Sequence, residues 1–371
     1  MNKKVLFLTL RVFSAAGGIE RVCRIAGRAL YELNDAPTTN VKVYSMYGDT
    51  ADVNVDYFPA EVFRGFSIKK IEFVIASVKE GKKTDVVILS HINLLFVGFL
   101  IKIFSPKTKV LLFAHGIEVW KTFSGWKKYM FRHVDRILSV SHFTKDKMIE
   151  LNHFDAAKFI ILNNCLDPFL PKPSSTTAKD QNLLSKYNLT DNDFVLMTLS
   201  RLSEIDRYKG YDKVIDAVQY LIKQYPNLKY LLVGKYEVTE KKRLDQFIKD
   251  RGLEKYIIIT GFVPDDKLAA YYNLADVFIM PSKKEGFGIA FIEALYYGKP
   301  VIAGNKDGST DALRNGELGL LVDPDNNEEI AGAIIKMFND RHAYLPDHNL
   351  LMQHFGYEVY KNNLEQIIGS L

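Results

Sequence analysis

Short apolar runs alternate with amphipathic stretches along nearly the whole chain, and this alternation limits the available folds more than any other feature. "KKVLFLTL" (residues 3–10) is followed by Ile19, Val22, Ala26, Ala29, Leu30 and Leu33 at helical spacing, then by "VKVYSM", "DVVILS", "KVLLFAH", "RILSVS" and "KFIILN". Strands separated by helices imply a parallel sheet. A proline- and serine-containing stretch, "DPFLPKPSSTTAKD" (residues 167–180), breaks the rhythm and reads as a linker. The alternation then resumes with "FVLMTLS", "LKYLLVG", "YIIIT", "DVFIMP" and "KPVIAG", between which segments such as "YDKVIDAVQYLIKQY" carry apolar residues three and four apart. The expectation is an α/β chain of two successive Rossmann-like domains facing an interdomain cleft. Ligands in such sheets bind beyond the carboxyl ends of the strands.

Composition fits two domains. With 371 residues, 47% of them hydrophobic, the chain can fill two cores. Cys23 and Cys165 stand far apart without metal-site spacing, which gives no disulfide framework and suits a reducing, cytoplasmic setting. The formal charge of +5 admits anionic substrates or an anionic membrane surface, and excludes a nucleic-acid footprint. The start, "MNKKVLFLTLRVF", is basic and then apolar but lacks a small-residue cleavage site, so it reads as a first buried strand of a chain kept whole, not as a signal peptide. "INLLFVGFLIKIF" (residues 92–104) is too short for a membrane span and reads as a packed helix.

Three places could carry chemistry. Gly17 and Gly18 lie between the first strand and the first helix, where backbone N–H groups can meet an anion closely only if no side chain intervenes. A tight turn is the alternative reading of that pair. "SRLSEIDRYKG" follows a strand and holds Arg201, Arg207 and Lys209 before a helix starting near Tyr211; Arg201 and Lys209 are the stronger candidates for binding a phosphate. In "EGFGIAFIEALYYG", Glu285 precedes a helix closed by Gly298, Gly286 and Gly288 leave the backbone open, and Glu293 sits among large apolar side chains. A carboxylate in such a setting needs partners, and the hydroxyl pair of a ribose would supply them; a solvent-facing helix residue is the alternative reading of Glu293, and an exposed loop acid that of Glu285.

Taken together, these motifs resemble family 4 of the retaining glycosyltransferases, which have the GT-B fold. The resemblance runs over nearly the whole chain: "GGIERV", "AHGIEVW" with His115, "VSHFTKD", "NNCLDPF", "SRL…YKG", "GFVPDDKL", the two-glutamate motif with Glu285 and Glu293, "DGSTDAL" and "GELGLLVDPDN". It implies an acceptor-side domain over residues 1–167 with a returning helix at 354–371, and a donor domain over 168–353. Arg201 and Lys209 would hold the diphosphate of a nucleotide sugar, the backbone near Val263 the base, and Glu293 the ribose. Glu285 would contact the transferred sugar, with N–H groups at Phe287, Gly288 and Ile289 beside it. Gly17 and Gly18 would close over the diphosphate, and His115 would lie where the acceptor arrives. Two departures stand out: Arg201 and Lys209 are wider apart than in the shortest family loops, and "KDGSTDA" replaces the common Gly-Gly-x-Pro-Glu run.

The implied reaction is metal-independent transfer of a hexosyl unit, with retention, to a glycan or lipid-linked acceptor, in bacterial surface polysaccharide or lipopolysaccharide assembly. No cofactor is expected, and the Asp-x-Asp runs at 191–193 and 323–325 read as turns and caps. The alternatives are a nucleotide-sugar epimerase on the same fold and a non-catalytic nucleotide-sugar-binding subunit. Residues 64–83 and 124–133 mix aliphatic and aromatic residues with lysines and arginines, which suits either a peripheral site on an anionic bilayer or ordinary amphipathic packing.

Overall fold

The structure, a computed structural model, describes residues 1–14, 17–173 and 178–371. The central residues of the linker, 174–177, lie outside the described residues. Among the described residues the chain forms two compact units: Met1–Pro168 with Phe355–Leu371, and Phe169–His354.

The first unit holds seven strands: β1 (Val5–Thr9), β2 (Val41–Ser45), β3 (Phe63–Gly65), β4 (Val86–Leu89), β5 (Lys109–Ala114), β6 (Arg136–Ser139) and β7 (Phe159–Ile161). They pair in parallel in the order β3-β2-β1-β4-β5-β6-β7. β1 and β4 are buried at every residue, because helices cover both faces of a parallel sheet. The helix Gly18–Glu32 shows why one such cover forms: Val22, Ile25, Ala26, Ala29 and Leu30 repeat three and four apart and are all buried. The last helix, Tyr357–Gly369, packs in this unit. Tyr357 and Lys361 both bond the carboxylate of Glu32, at 2.9 and 3.2 Å, and Lys3 donates to the Ile368 carbonyl at 2.8 Å.

In the second unit, β8 (Phe194–Leu199), β9 (Leu228–Val233), β10 (Ile257–Gly261), β11 (Val277–Met280), β12 (Val301–Gly304) and β13 (Leu320–Val322) form a parallel sheet. Its order, β10-β9-β8-β11-β12-β13, is the doubly wound order of dinucleotide-binding sheets. Strand order reverses between β1 and β4 in one unit and between β8 and β11 in the other. At those points neighbouring strands send their following loops to opposite faces and leave a crevice at their carboxyl ends. The loops after β8 and β11 are 200–210 and 281–288.

Sequence periodicity misses two strands, β3 and β13. Each is three residues long at a sheet edge and only partly buried, too short for its pattern to stand out from the surrounding turns. The segment 64–83 is not one helix: β3 ends at Gly65, Ser67 and Ile68 take left-handed backbone angles (φ 44 and 74), and the helix covers only Lys70–Gly81. "INLLFVGFLIKIF" folds as a short 3-10 turn followed by the helix Leu95–Phe104, whose buried face includes Leu95, Val97 and Ile101.

Candidate active site

Gly210 takes φ +83, and a Cβ there would collide with the carbonyl of Pro281, so only glycine lets the loop after β8 meet the loop after β11. The Lys283 N–H donates to the Tyr208 carbonyl at 3.0 Å and stitches the two loops together. Lys209 therefore reaches across to Glu285. Its Nζ pairs with Oε2 of Glu285, and both side chains are only 17% exposed. Burial opposes the charge on Lys209, yet the Glu285 carboxylate outweighs it and raises the lysine above its ordinary pKa. The two side chains thus form a largely buried ion pair.

Arg201 lies on the same loop as Lys209. Its Nε donates to Oδ2 of Asp206 at 2.6 Å and an Nη to Oδ1 at 3.3 Å, while 57% of its side chain stays exposed. The bond to Asp206 raises its pKa further and fixes the guanidinium plane. Ser203 also donates to Asp206, which is buried. Arg207, the third cation of the loop, turns away to Glu240. Glu240 also accepts from Arg243 at 2.7 Å and from the Tyr211 hydroxyl at 2.8 Å. Burial raises the Glu240 pKa, but these donors more than offset it and hold it down at about 2.

The helix Ile289–Tyr296 starts where Gly288 takes φ +89. It ends in a Schellman motif, with Gly298 (φ +71) donating to the Leu295 carbonyl and Lys299 to that of Ala294, both at 2.9 Å. Its first-turn N–H groups and dipole are directed at the 281–288 loop, which ends in Phe287 and Gly288, with Ile289 opening the helix. Glu293, in the second turn, is 1% exposed, and the Tyr272 hydroxyl donates to it at 3.1 Å. The Tyr272 ring stacks on Tyr297 at 5.1 Å, so this carboxylate has a partner inside the fold. Val263 lies just beyond β10 and is buried beside the exposed Phe262.

In the first unit, His115 follows β5. Its ring stacks on Phe113 and its Nε2 donates to the Ser90 carbonyl at 2.8 Å. Glu118 accepts from the His115 and Gly116 N–H groups at 2.6 and 3.2 Å. His91, after β4, accepts from the Asn93 N–H at 3.0 Å, and burial lowers its pKa. Gly17 and Gly18 are exposed at the start of the helix Gly18–Glu32. Within the second unit the structure thus joins Lys209 to Glu285 and sets Arg201 on the same loop as Lys209, while Glu293 is tied to Tyr272. Sequence reading passed over Asp206, Glu240, Tyr272 and Asp307. The one available signal was acids spaced closely with arginines, as in "SRLSEIDR". The aspartates of the two Asp-x-Asp runs act locally: Asp193 accepts from the Thr190 N–H at 2.7 Å, and Asp323 pairs with Lys306 at 2.6 Å.

Two doubly wound parallel sheets, the second with cations and carboxylates at its switch point, define a protein of the GT-B fold. The chain belongs to glycosyltransferase family 4. Residues 180–356 match the family described as glycosyl transferases group 1, and residues 16–168 match glycosyltransferase family 4. Its curated relatives include the alpha-monoglucosyldiacylglycerol synthase of Acholeplasma laidlawii, 30% identical over 51% of this chain and 46% of that protein. Another is the GDP-mannose-dependent alpha-(1-6)-phosphatidylinositol monomannoside mannosyltransferase of Mycobacterium tuberculosis, 27% identical over 63% and 61%. The chain spans about half to three-fifths of the length of these relatives. Among solved structures, HepE of Anabaena in complex with UDP superposes with a TM-score of 0.80 at 22% identity, over 99% of this chain and 100% of that one.

Proposed function

We propose that the chain transfers a hexosyl unit from a nucleotide-diphosphate sugar to a glycan or lipid-linked acceptor, with retained anomeric configuration and without a metal. The observation that carries this reading is the Lys209–Glu285 pair, set across the two switch-point loops, with Arg201 on the first of those loops. As the sugar–phosphate bond breaks, positive charge grows on the ring and negative charge on the leaving diphosphate. Lys209, Arg201 and the N–H groups at Phe287, Gly288 and Ile289 supply preorganised positive potential for the diphosphate, and Glu285 meets the sugar. Glu293 takes the ribose, the backbone near Val263 the base, and Gly17, Gly18 and His115 keep the roles the family resemblance gives them. Relatives named as glucosyl and mannosyl transferases support hexosyl transfer, and two of them bear lipid names. Similarity to an O-antigen chain mannosyltransferase of Escherichia coli, 27% identical over 55% of this chain, supports a place in surface polysaccharide assembly. Thermal shift against UDP-, GDP- and ADP-sugars tests the donor: a ligand at a hundred times its Kd stabilises by about 2.7 kcal/mol, and no shift with any of them would remove the reading.

For the acceptor we infer a lipid-borne glycan at the cytoplasmic face of an anionic membrane. Helices Lys70–Gly81 and Leu95–Phe104 of the first unit enclose an apolar groove of about 620 Å³, lined by Val74, Ile75, Val78, Leu100 and Phe104 and edged by Lys79, Lys82 and Lys83. Ile71, Ile75 and Phe104 are 79, 63 and 57% exposed. Core packing accounts for the buried Phe66 and Phe73 but leaves this face uncovered, and a ring of lysines complements anionic headgroups. Among the described residues no helix is long and apolar enough to cross a membrane.

A further inference from the structure

The loop after β12 packs backbone to backbone against the turn that carries Glu285. A Cβ on Gly308 would strike the Gly286 carbonyl, and one on Gly304 would strike that of Ser282. Asp307, between them, is 1% exposed. Its Oδ2 accepts from the Glu285 N–H and from the Ser282 hydroxyl, both at 2.7 Å, and its Oδ1 accepts from the Ser309 N–H at 3.0 Å. The next residue completes the clasp: the Gly308 N–H donates to the Glu285 carbonyl at 2.8 Å. Both backbone polar groups of Glu285 are thus held by two consecutive residues of the neighbouring loop.

We propose that Asp307 is a positioning residue for Glu285: its carboxylate fixes the 282–288 turn so that Glu285 stands poised against Lys209 and the sugar. The Asp-Gly-Ser turn of this chain then serves the sugar site through Glu285 and not by touching the hexose. Three donors converge on this one side chain, which an amide could not serve, having a single acceptor oxygen. Among the described residues no cation pairs with it; burial pushes its carboxyl up to about 6, with the hydrogen bonds from Ser309, Glu285 and Ser282 pulling the other way. Burying an unpaired carboxylate is costly. A turn that only had to hold its shape would not need one.

The proposal rests on the transferase reading, so its test carries a readout independent of turnover. Asp307→Ala removes the acceptor of all three donors, and we expect turnover to fall about tenfold or more, while the affinity for free nucleoside diphosphate changes less than about threefold. Amide exchange at Glu285, followed without substrate, should speed up about tenfold in Asp307→Ala and less in Asp307→Asn, whose amide oxygen can still accept from the Glu285 N–H while its NH₂ faces the Ser309 N–H. In a Glu285→Gln background Asp307→Ala should cost little further rate, since a residue acting through Glu285 loses its effect with it. Additive losses in that double variant, or Glu285 exchange unchanged in Asp307→Ala, would overturn the proposal. A wild-type chain that consumes no nucleotide sugar would sink the transferase reading alone, because the exchange measurement still decides whether Asp307 holds the turn.

Discussion

Lys209 and Glu285, 76 positions apart in the chain, are joined as a half-buried ion pair between the loops that follow the adjacent strands β8 and β11. Neither loop alone explains the pair. It depends on Gly210, whose positive φ and missing side chain let the backbone pass under Pro281. On the proposed transferase reading, each charge already compensates the other, so a diphosphate and a sugar would replace this internal bond without first stripping water from an isolated charge. That arrangement preorganises the site.

Lys209→Ala and Arg201→Ala should each lower turnover by about a hundredfold or more. The thermal midpoint of Arg201→Ala should stay near wild type, since its side chain is largely exposed, whereas Lys209→Ala leaves Glu285 without its partner and should lower the midpoint modestly. Steady-state rates and differential scanning fluorimetry on the same preparations check this. Near-normal activity in both variants would mean that the diphosphate is held elsewhere.

The two glutamates should separate by role. Glu293→Gln and Tyr272→Phe should both weaken binding of free nucleoside diphosphate, because the hydroxyl of Tyr272 orients the Glu293 carboxylate at 3.1 Å. Glu285→Gln should spare that affinity and impair sugar transfer by about a hundredfold. Calorimetry with the free diphosphate distinguishes them, and equal losses in all three would erase the division.

Glu240 predicts a pH dependence of stability. Its folded pKa of about 2 lies below its ordinary 4.5, so its contribution is fully present above about 4.5 and is lost as pH falls from there toward 2. Glu240→Gln should flatten the stability-against-pH curve in that window and cost on the order of 2 kcal/mol at neutral pH, where Arg207 and Arg243 lose their shared partner. Urea denaturation from pH 2.5 to 7 reads both effects. An unchanged slope in the variant would show that the network contributes nothing in acid.

Charge reversal at Lys79, Lys82 and Lys83 should abolish co-sedimentation with anionic vesicles at low salt, each lysine near the surface contributing about 1 kcal/mol. Ile75→Ser with Phe104→Ser should weaken binding at every salt concentration. If the wild type stays in the supernatant even at low salt, a soluble acceptor is the better reading.

Most of the fold was legible because buried parallel strands read as uninterrupted apolar runs: Val5–Thr9 and Phe194–Leu199 stand out against the helices around them. The three-residue edge strands Phe63–Gly65 and Leu320–Val322 did not, since FRG breaks the apolar run and LLV is too short to stand apart from the turns around it. In the site, Arg201, Lys209, Glu285 and Glu293 could be read from their loops and helix. Their partners could not. Tyr272 meets Glu293 across 21 positions and Asp307 meets the Glu285 backbone across 22, distances at which periodicity carries no information. Asp206 was close enough to notice, only five residues from Arg201, but an acid in a loop has a solvated reading that only its burial removes.

The most direct test is to follow the anomeric proton signal of the hexose released when the chain is incubated with a panel of nucleotide sugars in the absence of acceptor. The account predicts that at least one donor is hydrolysed slowly, that the first sugar formed keeps the donor's anomeric configuration before mutarotation, and that Lys209→Ala abolishes the signal. Release of the inverted anomer, or equal hydrolysis by wild type and Lys209→Ala, would contradict it.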